Sequence, residues 1–99
     1  MMARIRDPAV YIMANRRNGT VYAGVTSDLI KRVWQHRTGE TPGFTSDRGC
    51  KLLVWFEQHA AMETAILREK SIKAGSRAKK LALIEASNPQ WLDLYPALL

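Results

Sequence analysis

Asn18-Gly19 stands between two short runs rich in β-branched and aromatic residues, VYIMAN over 10–15 and VYAGVT over 21–26. An Asn-Gly pair tolerates the positive φ angles of a tight turn, so the stretch reads as a β-hairpin. A strict two-residue loop pairs Asn15 with Tyr22. It puts Tyr11 and Tyr22 on one face, offset along the strands by roughly 13 Å. A closer approach would require a loop longer than Asn-Gly. Val10, Ile12 and Ala14, with Val21, Ala23 and Val25, form the opposite, apolar face, and Gly24 leaves space beside the tyrosines.

The following residues continue the pattern. Thr26 or Ser27 caps a helix over roughly 28–38, which Gly39 ends. Leu29, Ile30, Val33 and Trp34 form its apolar stripe, with Arg32 and His36 together on one edge. Residues 39–50 form a Gly-rich loop, and 51–57 (KLLVWFE) a third strand. A second helix covers roughly 61–74 and stops at Gly75, and Ser76 caps a third that reaches about Ala86. Asn88-Pro89 reads as the cap and first turn of a last short helix, from which Trp91 and Leu94 pack back on the core. The order β-β-α-β-α-α-α predicts an α+β fold, a small three-stranded, largely antiparallel sheet flanked by helices. A chain of 99 residues is expected to form one domain, with a core over about 8–95 and no need of metal or disulfide staples.

Charge narrows the partners. Fifteen Lys and Arg against nine Asp and Glu give +6. Such a balance suits a polyanion, above all nucleic acid, although solubility alone would also account for it. Six cations (Arg68, Lys70, Lys73, Arg77, Lys79 and Lys80) crowd one segment against the single acid Glu69. The lone Cys50 cannot form an internal disulfide, so a reducing cytoplasm is the expected location. No apolar run approaches the ~18–20 residues that cross a membrane. One Cys and two His, His36 and His59, are too few and too scattered for a zinc site.

Glu69 stands out. On a helical wheel Met62, Ala65, Ile66 and Ile72 make one apolar face, and Glu69 falls near its centre. A carboxylate there is costly unless paired or bound to a metal. Lys73, at i+4 in the favoured Glu-to-Lys order, is the bland partner. A metal beside a phosphate is the functional one.

AVY at 9–11 and YAG at 22–24, followed by Arg32, His36 and Glu69, resembles the GIY-YIG nuclease superfamily. Ala9 and Val10 stand where the first namesake triplet has Gly and Ile, and Ala23 where the second has Ile. Tyr11, Tyr22 and Gly24 remain. The spacing of ten from Tyr22 to Arg32, then four to His36, is similar to the family's catalytic helix, and LREKSIK (67–73) to the segment carrying its metal-binding glutamate. GFTSDRG, LLVWFE and LIEASNPQW extend the resemblance to the small standalone branch. That branch often has a lysine after Phe-Thr, where this chain has Ser46.

The resemblance implies an endonuclease dependent on Mg²⁺ (or Mn²⁺), hydrolysing phosphodiester bonds of DNA through a single metal ion. Glu69 would hold the ion with water filling most of its shell, and the ion would stabilise the leaving 3′ oxygen. Tyr22 would act as general base, its pKa lowered by Arg32 and the metal. Arg32 would hold the scissile phosphate. His36 would assist proton transfer or grip a phosphate oxygen, and Tyr11 would orient the water or Tyr22. Nucleic-acid contacts are expected at Arg16, Arg17, Lys31, Arg37, Lys70, Lys73, Arg77, Lys79 and Lys80. The alternatives are a catalytically weak or inactive nucleic-acid-binding module, in DNA repair or processing, and a protein-interaction domain on the same scaffold. Specificity would come from this domain, from a protein partner or from substrate shape.

Overall fold

The structure, a computed structural model, describes residues 7–39 and 49–99. The expectations placed on 40–48, Ser46 among them, lie outside the described residues. β1 (Ala9–Ala14) and β2 (Val21–Thr26) form the hairpin, α1 (Leu29–Thr38) follows, and β3 (Leu52–Gln58) returns to the sheet. α2 (Met62–Ala74), α3 (Arg77–Ser87) and a 3₁₀ turn (Tyr95–Leu98) complete the order. The three strands lie in the order β2-β1-β3, and both pairings are antiparallel.

The hairpin loop is longer than two residues. Asn15 N–H donates to Thr20 O, and Gly19 N–H to Arg16 O, so residues 16–19 make the turn. Asn18 takes the left-handed conformation (φ 60°) that its side chain tolerates. Tyr22 consequently faces Met13, and Tyr11 faces Gly24. The register has moved by two residues, not one, so each side chain keeps its face while the tyrosines draw together.

β1 is central and every one of its residues is buried. Val10, Ile12 and Ala14 pack with Ala65 and Ile72 of α2 and Ile84 of α3. Ala9, Tyr11 and Met13 face Leu29 and Val33 of α1, with Leu94, Tyr95 and Leu98 around them. A bulge between Ile12 and Met13 turns both Val54 and Trp55 towards the α2–α3 layer.

Three local expectations change. The cap of α1 is Asp28, whose carboxylate accepts from Lys31 N–H, while the Thr26 hydroxyl accepts from Asp28 N–H. On α1 the buried stripe is Leu29, Val33 and His36, spaced i, i+4, i+7, and Trp34 is 44% exposed. Asn88 ends α3 and does not begin another helix. Its amide donates to Val54 O and Leu92 O and accepts from Leu92 N–H. Asp93 accepts from Leu53 N–H, and Leu94 N–H donates to Leu53 O. The C-terminal segment thereby satisfies the free edge of β3.

Candidate active site

Tyr11 comes from the most protected strand of the sheet, and its hydroxyl lies 2.9 Å from His36 Nε2. Gly24 faces it across the hairpin. A methyl group at Gly24 would sit 2.5 Å from the Tyr11 hydroxyl, so the absent side chain is what makes room for the phenol. Tyr22 is half-buried and completes a three-ring cluster. Its centroid is 6.5 Å from that of Tyr11 and 5.4 Å from that of His36, with Tyr11 and His36 5.6 Å apart.

Burial decides the protonation of this cluster. It pushes His36 down to about 4, and the positive charge of Arg32 acts in the same direction. The imidazole is therefore neutral at neutral pH. Burial likewise drives the Tyr11 phenol well above its ordinary value, with Tyr22 adding to the effect and Arg32 opposing it through charge and a hydrogen bond. The Tyr11 phenol and the neutral His36 imidazole share one hydrogen bond through Nε2, whose direction is set by the tautomer of the ring. Around Tyr22 the chain's own groups compete. Burial raises its pKa and outweighs Lys73 and Arg32, which lower it, while Glu69 raises it further.

Arg32 lies half-buried on α1, one turn before His36. It lines an open groove of about 450 Å³ together with Thr26, Ser27, Asp28, Lys31 and Gln35. α2 brings Glu69 from the other direction. Ala65 and Ile72 are buried around it, and its carboxylate side chain is only 14% exposed. Glu69 Oε2 lies 2.9 Å from Lys73 Nζ, so the i+4 pair is formed. The same ammonium stands 5.7 Å from the centre of the Tyr22 ring.

Among the described residues no three or more His, Cys, Asp or Glu come together as a metal cage. One hard, largely buried carboxylate suits Mg²⁺ or Mn²⁺ in particular, since Mg²⁺ retains most of its water and needs few protein ligands. Glu69 thus fits such an ion, and the soft, closed ligand set of structural zinc is absent from the described residues.

The structure brings Tyr11, Tyr22, Arg32, His36 and Glu69 into one region. The basic residues scatter around it. Lys31 borders the groove beside Arg32, and Lys70 and Lys79 are exposed. Arg16 and Arg17 ride the exposed hairpin turn, where Arg17 reaches Gln90 at 3.4 Å. Others hold the fold. Arg77 donates to Asn18 O and Gly19 O, clamping the hairpin turn to α3. Lys80 donates to Gly75 O at the end of α2. Arg37 pairs with Asp93 at 2.6 Å and lies over Tyr95, away from the rings. Sequence reading missed Thr26 and Gln35 as groove residues. The i, i+4 spacing of Lys31 and Gln35 beside Arg32 was the available signal.

Residues 7–82 match the family model of the GIY-YIG catalytic domain. A UPF0213 protein of Staphylococcus saprophyticus is 37% identical over 68 residues, which span 69% of this chain and 83% of that protein. A UPF0213 protein of Natronomonas pharaonis is 36% identical over 78 residues, covering 79% of this chain and 91% of the relative. Among solved structures, the solution NMR structure of a UPF0213 protein from Bacillus halodurans aligns with a TM-score of 0.56 and 29% identity, over 88% of this chain and 92% of that one.

Proposed function

The chain belongs to the GIY-YIG family, and from that premise we propose that it is an endonuclease, dependent on Mg²⁺ or Mn²⁺, that hydrolyses DNA phosphodiester bonds. The observation that carries this reading is the convergence of a half-buried tyrosine, a guanidinium and a nearly buried carboxylate in a strongly basic domain.

Glu69 would hold the ion, which when bound supplies charge stabilisation to the leaving 3′ oxygen. The protein's own groups do the rest. Arg32, which lines the groove, would present a planar fork to the scissile phosphate and meet the charge that develops there. Tyr22 would take the proton from the attacking water, because the Tyr11 hydroxyl is engaged by His36 and is the more deeply buried of the two phenols. Burial holds the Tyr22 proton on, so the base works when positive charge gathers around it; Arg32 and Lys73 already pull that way. His36, neutral and enclosed, acts by holding Tyr11 and packing on Tyr22. Lys31, Lys70 and Lys79, with the hairpin arginines, would follow the phosphate backbone.

A second reading, binding without cleavage, draws support from the Lys73 ammonium that already neutralises the Glu69 carboxylate. One experiment separates the two: a panel of labelled duplex, branched and single-stranded DNAs, with Mg²⁺, with Mn²⁺ and with chelator. Metal-dependent cleavage is expected, lost in Glu69→Gln and reduced ~10²–10⁴-fold in Tyr22→Phe. Cutting in chelator, or a Tyr22→Phe variant as fast as the parent, would overturn the proposal. Retention of DNA without cleavage by any substrate would establish the second reading.

A further inference from the structure

We propose that Lys73 is a built-in competitor of the metal for the Glu69 carboxylate, so that a divalent ion and a nucleic-acid phosphate load the site together. The inference rests on the reading of Glu69 as a metal ligand and adds a coupling to it.

Glu69 sits on the packed side of α2, where an unpaired carboxylate would be costly. Lys73 neutralises it at 2.9 Å, in the favourable order of acid and base along a helix. The two partners are unequally committed. The glutamate side chain is 14% exposed, whereas that of Lys73 is 50% exposed. A long, half-solvated lysine leaves such a contact at little cost, while the glutamate cannot follow it. The acid is therefore fixed and the counter-ion is exchangeable.

A divalent cation entering at Glu69 would meet the ammonium at close range. Two like charges so near each other repel, the more strongly away from bulk water. Metal binding must consequently expel Lys73 from the carboxylate. While paired, the ammonium already lies 5.7 Å from the centre of the Tyr22 ring, so on expulsion it starts out beside that ring. There it can pair with a new anion, and the phosphate held by Arg32 is the available one. An arriving phosphate that draws Lys73 away frees Glu69 for metal, and by linkage the metal favours the phosphate equally. Without nucleic acid the lysine keeps the carboxylate neutralised and metal affinity low.

The test reads metal binding at the site and requires no turnover. Mn²⁺ is titrated into the isotope-labelled full chain, and paramagnetic broadening of the backbone amide signals around Glu69 and Tyr22 is followed. The titration is run with and without a short DNA duplex carrying phosphorothioate linkages. Removing the competing charge by Lys73→Met, which keeps the apolar stem, should lower the half-effective Mn²⁺ concentration about fivefold without DNA. DNA should lower it severalfold for the parent and little for Lys73→Met. Lys73→Gln repeats the comparison with a polar stem. If both variants bind Mn²⁺ no more tightly than the parent, the competition is disproved while Glu69 remains a metal ligand. If Glu69→Gln broadens like the parent, or neither parent nor variants show localised broadening, the metal reading falls and the inference with it.

Discussion

Val10, Ile12 and Ala14 point from β1 into a layer of carbon, whereas Tyr11 points the other way, into a layer that also holds an imidazole. The β1 side chains are buried on both sides, yet the two layers answer to different physics. On the α2–α3 side, stability scales with apolar area and tolerates any packing that fills the volume. On the α1 side a polar atom on Tyr11 and another on His36 are hidden together 2.9 Å apart, and each offsets part of the cost of burying the other. The first layer keeps the protein folded. The second keeps two tyrosines and a histidine in one arrangement and one protonation state. A buried face can thus be bought with area alone, but a buried site needs matched partners.

Breaking the carbon layer should have the largest effect on stability. Ile12→Ala removes a fully buried branched side chain and should cost ~2–5 kcal/mol in urea or thermal unfolding. DNA cleavage per folded molecule should stay near that of the parent, because Ile12 faces away from the tyrosines. A loss of specific activity at full folding would show that the two layers are not independent.

The polar layer should reveal itself through pH. His36 binds a proton at about 4 in the folded chain, against an ordinary value of 6.5. Between those values the unfolded chain takes up more protons than the folded one. Stability should therefore be intact above about pH 6.5, fall as the pH drops, and be diminished by up to about 3 kcal/mol once the pH has passed through about 4. Unfolding midpoints measured across this range check the slope, and NMR titration of the imidazole assigns it to His36. A His36 signal that titrates near 6.5 would mean that the layer is open to water.

Gly24→Ala tests the spacing within the polar layer and should produce the smallest stability change of the three, ~1–3 kcal/mol. Its methyl group would displace the Tyr11 hydroxyl, which lies 2.5 Å from the added carbon. The His36 pKa should rise towards its ordinary value as the cluster loosens, and cleavage should fall with it. Normal cleavage and an unchanged His36 titration would show that the phenol has another place to go.

Much of this was legible before folding. The alternation on either side of Asn18-Gly19 assigns the two faces of the hairpin, and a period of two protects that assignment against an even register error. That is why the loop came out longer while Tyr11 and Tyr22 still share a side. The caps at Gly39 and Ser76, the order of elements and the place of Glu69 on the packed side of α2 follow from residue type and helical spacing. His36 was less legible. It lies on the buried stripe of α1 with Leu29 and Val33, but a polar residue on a helical wheel is assigned to the interior only once its partner is known. That partner, Tyr11, is 25 residues away.

Sequence by itself therefore determined the things that depend on near neighbours: which segments form strands and helices, which side each residue faces, and how far the net charge departs from zero. Tertiary structure alone decided what depends on distant atoms. It placed the Tyr11 phenol against His36, brought Lys73 against Glu69 and near the Tyr22 ring, and used Arg37 and Arg77 to tie the fold together, although their charge alone suggests nucleic acid. The physical reason is one of range. Dihedral preference and hydrophobic period act over a few residues of chain, whereas desolvation and charge act through space, and their sign at a given atom is settled only when the folded chain has decided what surrounds it.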